Sequence, residues 1–547
     1  MAKASEDSLP LDPAAIMDED APGPPISVPD NGDAGEGGKL KMIVQLVKKS
    51  LGVKDIAAMR LSLPASLLEP LPNLEYWHYL DRPDLFAAIN DSNDPFERML
   101  AVVRFTFTKD LKFIHGKVCK PYNSVLGEHF RSHWDVPPVE YPSDPTKPPI
   151  LRVHTTDSPP APGTSNAMPS ETESTKSARS NRSSKSTRSG LSLLSKTKQS
   201  PSTAPTSPQQ LPDALLNGHM SNLSLGSGNN DNAEPERIRV VYLTEQISHH
   251  PPVSAYYACC PSRSVSMAGI DQISAKVSGT ALRVAPGSFN KGIYVNITGG
   301  AGEGEQYHIT HPIASVNGIL RGSFYLTVGD STIVTCTSPK GGPQLRAVIE
   351  YKEESWLGRA HYLVEGVIHT FDEDETDYQE WTKVKHVPQS RVLAVFDGCW
   401  RNHIRWRRIA TLPSSNASNA SLVPAESDYS TLVDLSTLHI VPKVVRPLDK
   451  QLPNESRNLW DGVTSRLVNK EYGDATKYKL AIEQKQRDEA SERKRKGVEF
   501  IPSYFEKDIS SGVPVLTEAG KKAIDEELAE DSSACEEGEE LSSDNAP

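Results

Sequence analysis

EQISHHPP, at residues 245–252, is the most distinctive stretch of the chain. Successive side chains of a β-strand point to opposite faces, so His249 and His250 can share a ligand only where the strand bends. Pro251 and Pro252 fix φ and remove two backbone donors, which ends a strand directly after the histidines. Taken alone, the stretch allows two interpretations: an anion or metal site, or two surface histidines before a turn.

The residues on both sides of this stretch predict many short strands. Between residues 236 and 410, β-branched or aromatic runs alternate with Gly, Pro and Asp turns: RIRVVYL, GIYVNITG, GILRGSFYLTVGD, STIVTCT, QLRAVIEYKE, HYLVEGVIH and RVLAVFDGCW. Consecutive short strands of this kind predict an antiparallel barrel or sandwich. Helical patterns flank them at residues 83–108 and 454–497.

A basic amphipathic helix is predicted over residues 39–54, KLKMIVQLVKKSLGVK. Its apolar residues fall at the spacing of one helical face: Leu40, Ile43, Val44, Val47 and Leu51. Lysines occupy the other side. The pattern allows an ordinary helix packed on the domain, or a helix that meets a membrane or covers a cavity.

The charge is unevenly distributed along the 547 residues. The net charge is −12, but residues 1–38 carry −8, residues 525–547 carry −10, and the remainder carries +6. This excludes an acidic core and is compatible with an anionic partner such as a membrane surface or a phosphate group. The six cysteines form no CxxC pattern, and neither a signal peptide nor an apolar run of about 18 residues is present. These features predict a cytosolic chain with reduced thiols.

Several segments have the composition of disordered chain. We expect disorder in an acidic tail at 1–38, in a Ser/Pro-rich basic insertion at 153–235, in a flexible loop at 413–428 and in an acidic tail at 509–547. Ser158, Ser200 and Ser207 precede proline, which suggests regulatory kinases as partners of the insertion. A nucleic-acid-binding arm is the less favoured interpretation of its basic residues.

Two further segments offer polar groups for a ligand. KPYNSVLGE, at 120–128, supplies a cation, an amide and a glycine turn. Lys479, Glu483 and Arg487 follow each other at four-residue spacing and therefore lie on one helical face. In isolation, the first pattern also fits a structured loop, and the second fits a solvated charged stripe.

Together these segments resemble the oxysterol-binding protein-related family. EQISHHPP resembles the family signature EQxSHHPP, KPYNSVLGE resembles KPxNPxLGE, and NESRNLW at 454–460 resembles ESRxLW. GVEFIPSYF resembles the segment that follows the last basic helix of the family. The resemblance covers residues 40–150 and 236–508. Ser124 replaces a usual proline, and the insertion is unusual for the family.

The resemblance implies an α+β, mainly β fold. This is an incomplete antiparallel β-barrel around a hydrophobic lipid tunnel, with an N-terminal helical lid and a C-terminal helical region. Residues 39–68 would form the lid and tunnel mouth, with Leu67 and Leu68 as further tunnel contacts, and residues 69–508 the lipid-binding domain. Neither ankyrin repeats nor a pleckstrin-homology domain is recognisable, so the chain resembles a short family member.

The resemblance also implies a function, which is lipid transfer without bond making or cofactor. One lipid, with a sterol favoured, would be exchanged for phosphatidylinositol 4-phosphate between cytoplasmic membrane surfaces, at contact sites of the endoplasmic reticulum, Golgi or plasma membrane. Phosphatidylserine as the cargo, and phosphoinositide or sterol sensing by a scaffold protein, remain alternatives. The resemblance assigns the phosphoinositide headgroup to four residues of the quoted motifs, Lys120, Asn123, His249 and His250. It adds three residues on the strength of their helical spacing: Lys479, Glu483 and Arg487.

An enzyme is the competing prediction from another class. His249 and His250 with Glu245 could bind zinc for a hydrolysis reaction. However, the HExxH order is absent, and a catalytic zinc site needs three protein ligands and an open position. We therefore predict neither a metal site nor an enzymatic activity.

Overall fold

The computed structural model describes residues 26–27, 45, 48–50, 52–57, 61–62, 65–115, 119–144, 147–151, 237–319, 324–339, 344–354, 360–409 and 429–530. The segments predicted to be disordered at 1–38, 153–235 and 413–428 lie outside these residues, apart from residues 26–27. In the part of the chain so described, no helix is long and apolar enough to cross a membrane.

Helices precede and follow a large β region. They are α1 (Asn73–Tyr76), α2 (Pro83–Ala87), α3 (Pro95–Thr108), α4 (Lys112–His115), α5 (Ser456–Val468), α6 (Tyr472–Lys496) and α7 (Glu518–Ala529). The predicted helical segments 83–108 and 454–497 correspond to α2 with α3 and to α5 with α6. A 3₁₀ turn, Ala65–Leu67, precedes α1.

Most strands lie between residues 236 and 410, where strands were predicted. They are β1 (Ile26–Ser27), β2 (Leu61–Ser62), β3 (His129–Val136), β4 (Ile238–His249), β5 (Pro252–Cys260), β6 (Val265–Asp271), β7 (Ile273–Ser278), β8 (Ala281–Pro286), β9 (Ile293–Ile297), β10 (Gln306–Ile309), β11 (Ile313–Asn317), β12 (Tyr325–Gly329), β13 (Ser331–Thr337), β14 (Leu345–Tyr351), β15 (Leu363–Thr370), β16 (Val392–Cys399), β17 (His403–Arg408) and β18 (Ser430–Asp434).

Most strands form one twelve-stranded antiparallel sheet in the order β18-β17-β16-β15-β14-β13-β10-β9-β6-β5-β4-β3. Because β18 and β3 remain separate ends of the order, the sheet is not closed into a barrel, which confirms the predicted fold class. Strands β7, β8, β11 and β12 leave this order and make a second sheet, β12-β11-β8-β7. Strands β1 and β2 pair in parallel.

Strand β4 is buried on both faces. Val240 and Tyr242 belong to the main core, whereas Val241 and Leu243 belong to a second cluster on the other side of the sheet. The alternation follows from the two-residue period of a strand. The main core also contains most of α3, which begins at Pro95 and is capped where Asp94 accepts a hydrogen bond from the Phe96 N–H (2.9 Å).

The predicted acidic disordered tail is wrong for residues 509–530. Thr517 caps α7, and Ala523 and Ile524 of that helix pack in the second cluster beneath β4. Glu527 is fully buried and hydrogen-bonds His133 Nδ1 of β3 (2.8 Å). Composition misled the prediction because the acids lie on a helix whose few apolar residues contact strands far away in sequence. Residues 531–547 lie outside the described part.

Candidate functional site

Backbone hydrogen bonds join the three motif segments. The Gly127 N–H donates to the Gln246 carbonyl (2.9 Å), and the Gln246 N–H donates to the Glu128 carbonyl (2.8 Å). The His129 N–H donates to the Asn454 carbonyl (3.1 Å). The loop before β3, the end of β4 and the start of α5 therefore form one unit, although more than 300 residues separate the first from the last.

The glutamates of the motifs support this unit. Fully buried Glu128 accepts from the Val125 N–H (3.0 Å), from Ser456 Oγ (2.7 Å) and from Trp460 Nε1 (3.0 Å). Burial raises the pKa of the Glu128 carboxyl to about 7 despite these donors. The carboxylate therefore fastens the loop to α5.

Glu245 of β4 likewise fastens a neighbouring segment, in this case residues 503–504. Its carboxylate accepts from the backbone N–H groups of Ser503 (2.7 Å) and Tyr504 (2.8 Å). Glu455, buried at the start of α5, accepts from Arg446 Nη2 (2.6 Å) and the Leu452 N–H (3.2 Å). The sequence motifs contained all three acids, but nothing in their spacing indicated that they hold backbone and neighbouring side chains.

The two lysines assigned to the headgroup lie close enough to interact electrostatically. Lys120 Nζ donates to Asn123 Oδ1 (2.7 Å) and to the Pro121 carbonyl (2.9 Å). Burial, and then the positive charge of Lys479, lower the pKa of Lys120 to about 8. Lys479 is itself buried and forms an ion pair with Glu483. Two ammonium groups, one of them paired with a carboxylate, thus lie near an amide, and both can donate to an anion.

The paired histidines lie at the turn between β4 and β5. The register shifts between Gln246 and Ser248, and His249 then faces Pro252. The rings of His249 and His250, at the start of the turn, lie 4.3 Å apart between centroids, edge to face. The bend predicted from the prolines is therefore present, and the His250–Pro251 peptide bond is cis.

The remaining predicted residues have different surroundings. Arg487 is exposed and donates to Gln484 Oε1 from Nε (3.1 Å) and Nη2 (2.9 Å). Leu68 is buried in a cluster with Trp460 and Val463, whereas Leu67 is half-buried. The lid residues lie outside the described part of the chain: Leu40, Ile43, Val44, Val47 and Leu51.

One face of the small sheet is entirely apolar. Its strand register places ten apolar side chains on that face: Ile273, Ala275, Val277, Leu282, Val284, Pro286, Ala314, Val316, Leu326 and Val328. Only Ala275 and Leu326 of these ten are buried, and Ile273 is 44% exposed. An apolar face covered this incompletely is typical of a ligand-binding or docking surface.

The chain segment that follows the predicted lid helix attaches to this sheet. The Ile56 N–H donates to the Ala275 carbonyl (2.6 Å), and the Ala275 N–H donates to Asp55 Oδ1 (2.9 Å). Residues 55–57 therefore lie along the edge of β7. This attachment brings the chain directly after the predicted lid to the sheet that carries the apolar face.

A group of polar side chains around Asp271 lies just before β7, and nothing in the sequence indicated it. Tyr79 Oη donates to Asp271 Oδ1 (2.6 Å), and the Tyr256 ring lies 5.3 Å from that of Tyr79. Tyr256 Oη is buried and has no hydrogen-bond partner among the described residues. Burial raises the pKa of Asp271 to about 6. The ammonium of Lys109 lies 4.7 Å from the centre of the Tyr79 ring.

No group of three or more His, Cys, Asp or Glu side chains in the described ranges is arranged to hold a metal ion. His249 and His250 therefore have no third ligand of this kind within those ranges.

Comparisons with known proteins agree with the motifs. The sequence model of the Oxysterol-binding protein family matches residues 42–169 and 230–525. Oxysterol-binding protein-like protein 1 of Schizosaccharomyces pombe is 39% identical over 514 residues, which cover 91% of this chain and 92% of the relative. Human oxysterol-binding protein-related protein 11 is 26% identical over 451 residues, covering 82% of this chain and 46% of that protein.

The fold has counterparts among solved structures. The crystal structure of the Osh1 ORD domain in complex with ergosterol matches with a TM-score of 0.52 and 16% identity, covering 89% of each chain. At this identity the match supports the architecture alone. The family match spans most of this chain and includes all three motif segments, so the chain belongs to the oxysterol-binding protein family.

Proposed function

We propose that this protein extracts a single lipid, with a sterol favoured, into a hydrophobic tunnel and exchanges it for phosphatidylinositol 4-phosphate between membranes. The observation that carries the proposal is the apolar face of the small sheet, whose ten side chains are incompletely covered. Family membership supports lipid binding in general, and the cargo and the exchange are our inference.

The energetics of lipid transfer call for such a surface. Moving a lipid with about thirty methylenes from a bilayer into water costs on the order of 20 kcal/mol of free energy, at about 0.8 kcal/mol per methylene. A carrier must replace the bilayer with an enclosed apolar surface. The apolar face of the small sheet supplies one wall. We infer that the amphipathic segment 39–54 covers it, because residues 55–57 attach to the edge of β7.

The proposed headgroup site supplies the polar end. Lys120, Lys479 and Arg487 suit the phosphates of the phosphoinositide, because ammonium and guanidinium groups form charge-assisted hydrogen bonds with phosphate oxygens. Asn123 and the ring N–H groups of His249 and His250 add further donors, and the histidines donate more strongly when protonated. Glu483 orients Lys479 through their ion pair. The roles of Lys120, Asn123, His249 and His250 follow the family motifs residue by residue, and those of the three α6 residues rest on their helical spacing.

The buried polar group before β7 favours a sterol as the second cargo. A sterol needs one hydroxyl partner in an otherwise apolar cavity, and Tyr256 Oη and the Asp271 carboxylate are groups of this kind. A solved relative of the same fold was crystallised with ergosterol. Phosphatidylserine is the second candidate, because Lys109 and Asp110 lie beside Tyr79 and would match the two charges of its serine group.

Native mass spectrometry after incubation with mixed liposomes tests the exchange. The liposomes contain ergosterol, phosphatidylserine and phosphatidylinositol 4-phosphate. We expect a 1:1 sterol complex that the phosphoinositide displaces. If a phosphatidylserine complex forms and is displaced in the same way, the exchanged cargo is phosphatidylserine and not a sterol. Binding of the phosphoinositide alone would favour a sensor, and the absence of any bound lipid would contradict the transfer proposal.

A pair of variants tests the headgroup residues. His249→Ala combined with His250→Ala should abolish phosphatidylinositol 4-phosphate extraction and leave sterol binding intact, because only the headgroup loses its donors. His403→Ala, at an exposed position on β17, is the matched control and should extract like the wild type. Normal extraction by the double variant would refute the site.

A further inference from the structure

The C-terminal end of α6 carries a surface that the headgroup site does not use. Helix α6 ends in four consecutive basic residues, 493–496, and Gly497 then turns the chain with a φ of 64°. Val498 is 57% exposed, and Ile501 is 75% exposed, the highest value among the large exposed hydrophobic side chains of the described residues. We call residues 493–501 the basic-apolar ridge.

Local structure explains the basic residues of the ridge but not its exposed aliphatic side chains. Basic side chains at a helix C-terminus interact favourably with the helix dipole, so the run 493–496 could serve α6 alone. Arg495 and Lys496 also contact Glu492 (2.6 and 3.0 Å). Neither effect accounts for the two exposed aliphatic side chains that follow. Exposed apolar groups rimmed by one sign of charge are typical of an interaction surface.

The ridge is fixed relative to the motif unit. A Cβ added to Gly127 would lie 3.3 Å from the Phe500 ring, so that ring packs directly on the loop that begins at Lys120. Two residues after Ile501, the backbone is held by the Glu245 carboxylate through Ser503 and Tyr504. The exposed aliphatic side chains therefore belong to a rigid part of the molecule beside the proposed headgroup site.

We propose that the basic-apolar ridge docks the protein on an anionic bilayer surface. Residues 493–501 hold four bases and one acid, which complements the negative charge of a cytoplasmic leaflet. Val498 and Ile501 enter the boundary between headgroups and acyl chains, where amphipathic protein surfaces bind. The ridge thus presents the loop of Lys120 to the membrane independently of the lipid that the protein carries.

Vesicle binding by the full chain tests the ridge separately from the headgroup site. The probe is phosphatidylcholine vesicles with about 30 mol% phosphatidylserine and without phosphoinositide, because anionic lipid supplies the charge attraction. Val498→Ser with Ile501→Ser should weaken vesicle binding roughly tenfold. Lys494→Gln with Arg495→Gln should weaken it by about tenfold to thirtyfold and reduce its dependence on salt.

Matched controls change similar side chains elsewhere. Val515 is as exposed as Val498, and Lys521 and Lys522 are exposed on α7, so Val515→Ser and Lys521→Gln with Lys522→Gln should bind vesicles like the wild type. All variants should bind a soluble short-chain phosphatidylinositol 4-phosphate normally, which shows that they are folded. If the proposed headgroup site does not bind the phosphoinositide, only this soluble-lipid binding is lost, and vesicle binding by the ridge is unchanged.

Three outcomes would overturn the proposal. In the first, both ridge variants bind vesicles as tightly as the wild type. The partner of the ridge would then be an acidic protein surface and not a bilayer. The second is an equal loss of vesicle binding in the control variants. The third is vesicle binding that does not depend on the phosphatidylserine content.

Discussion

Glu128 makes a prediction about stability that can be worked out from its surroundings. Its carboxyl has an ordinary pKa of 4.5, and burial raises that pKa to about 7 in the folded protein. The difference corresponds to about 3 kcal/mol. The folded-state pKa is higher than the unfolded one. The contribution of the Glu128 carboxyl to the free energy of unfolding is therefore fully present below about pH 4.5 and is lost as the pH rises through about 7. At about pH 8, the wild type therefore carries the full cost of a buried carboxylate.

Glu128→Gln should remove this cost and keep the hydrogen bonds. The amide oxygen can accept from the Val125 N–H and Trp460 Nε1, as the carboxylate oxygen Oε2 does. The amide NH₂ can donate to Ser456 Oγ, whose hydroxyl then donates to the His129 carbonyl (3.2 Å). We expect this variant to exceed the wild type by less than about 1 kcal/mol at about pH 5 and by up to about 3 kcal/mol at about pH 8.

Glu128→Ala provides the contrast, because it removes the acceptor of three donors. Leaving buried donors unpaired costs about 1–3 kcal/mol each, so we expect a loss of about 3 kcal/mol or more at about pH 5. Urea denaturation of the three proteins at several pH values measures these differences. A difference between wild type and Glu128→Gln that stays constant from about pH 5 to about pH 8 would refute the reasoning.

Three further predictions concern the surrounding residues. Because burial lowers the pKa of Lys120 to about 8, affinity for a soluble phosphoinositide headgroup should fall from about pH 7 to about pH 9, and Lys120→Arg should remove this dependence in titrations. Glu245→Ala should cost about 2–4 kcal/mol and speed amide exchange at Tyr504, because two backbone donors lose their acceptor. Glu527→Ala should cost about 3–5 kcal/mol in urea denaturation, whereas Glu526→Ala, at a 48% exposed position, should cost less than about 1 kcal/mol.

The sequence allowed the elements and the family to be predicted, because their signals are local. The seven alternating runs quoted between residues 236 and 410 correspond to β4, β9, β12, β13, β14, β15 and β16, which is half of the strands in that region. The helical periodicity at 454–497 corresponds to α5 and α6. Both patterns depend on the spacing of neighbouring residues, which tertiary contacts reinforce.

Long-range partners explain what could not be predicted. The sequence gives no sign that Asp271, at the end of β6, accepts a hydrogen bond from Tyr79, because 192 residues separate them. Helix α7 was mistaken for a disordered tail for the same reason, since the buried partner of Glu527 is His133 on β3. In both cases a charged residue has polar partners that only the folded chain brings together.

The motif unit suggests why acids and bases recur together in the family signatures. Glu128 and Glu245 use their oxygens on structural donors, so these two acids are not the counter-ions of the headgroup lysines, and Lys479 pairs with Glu483 instead. Burial, and then the repulsion from Lys479, lower the pKa of Lys120. A phosphate group placed near both would relieve that repulsion and raise the pKa of Lys120 again. The fold therefore holds the proposed headgroup site in a state that binding of an anion stabilises.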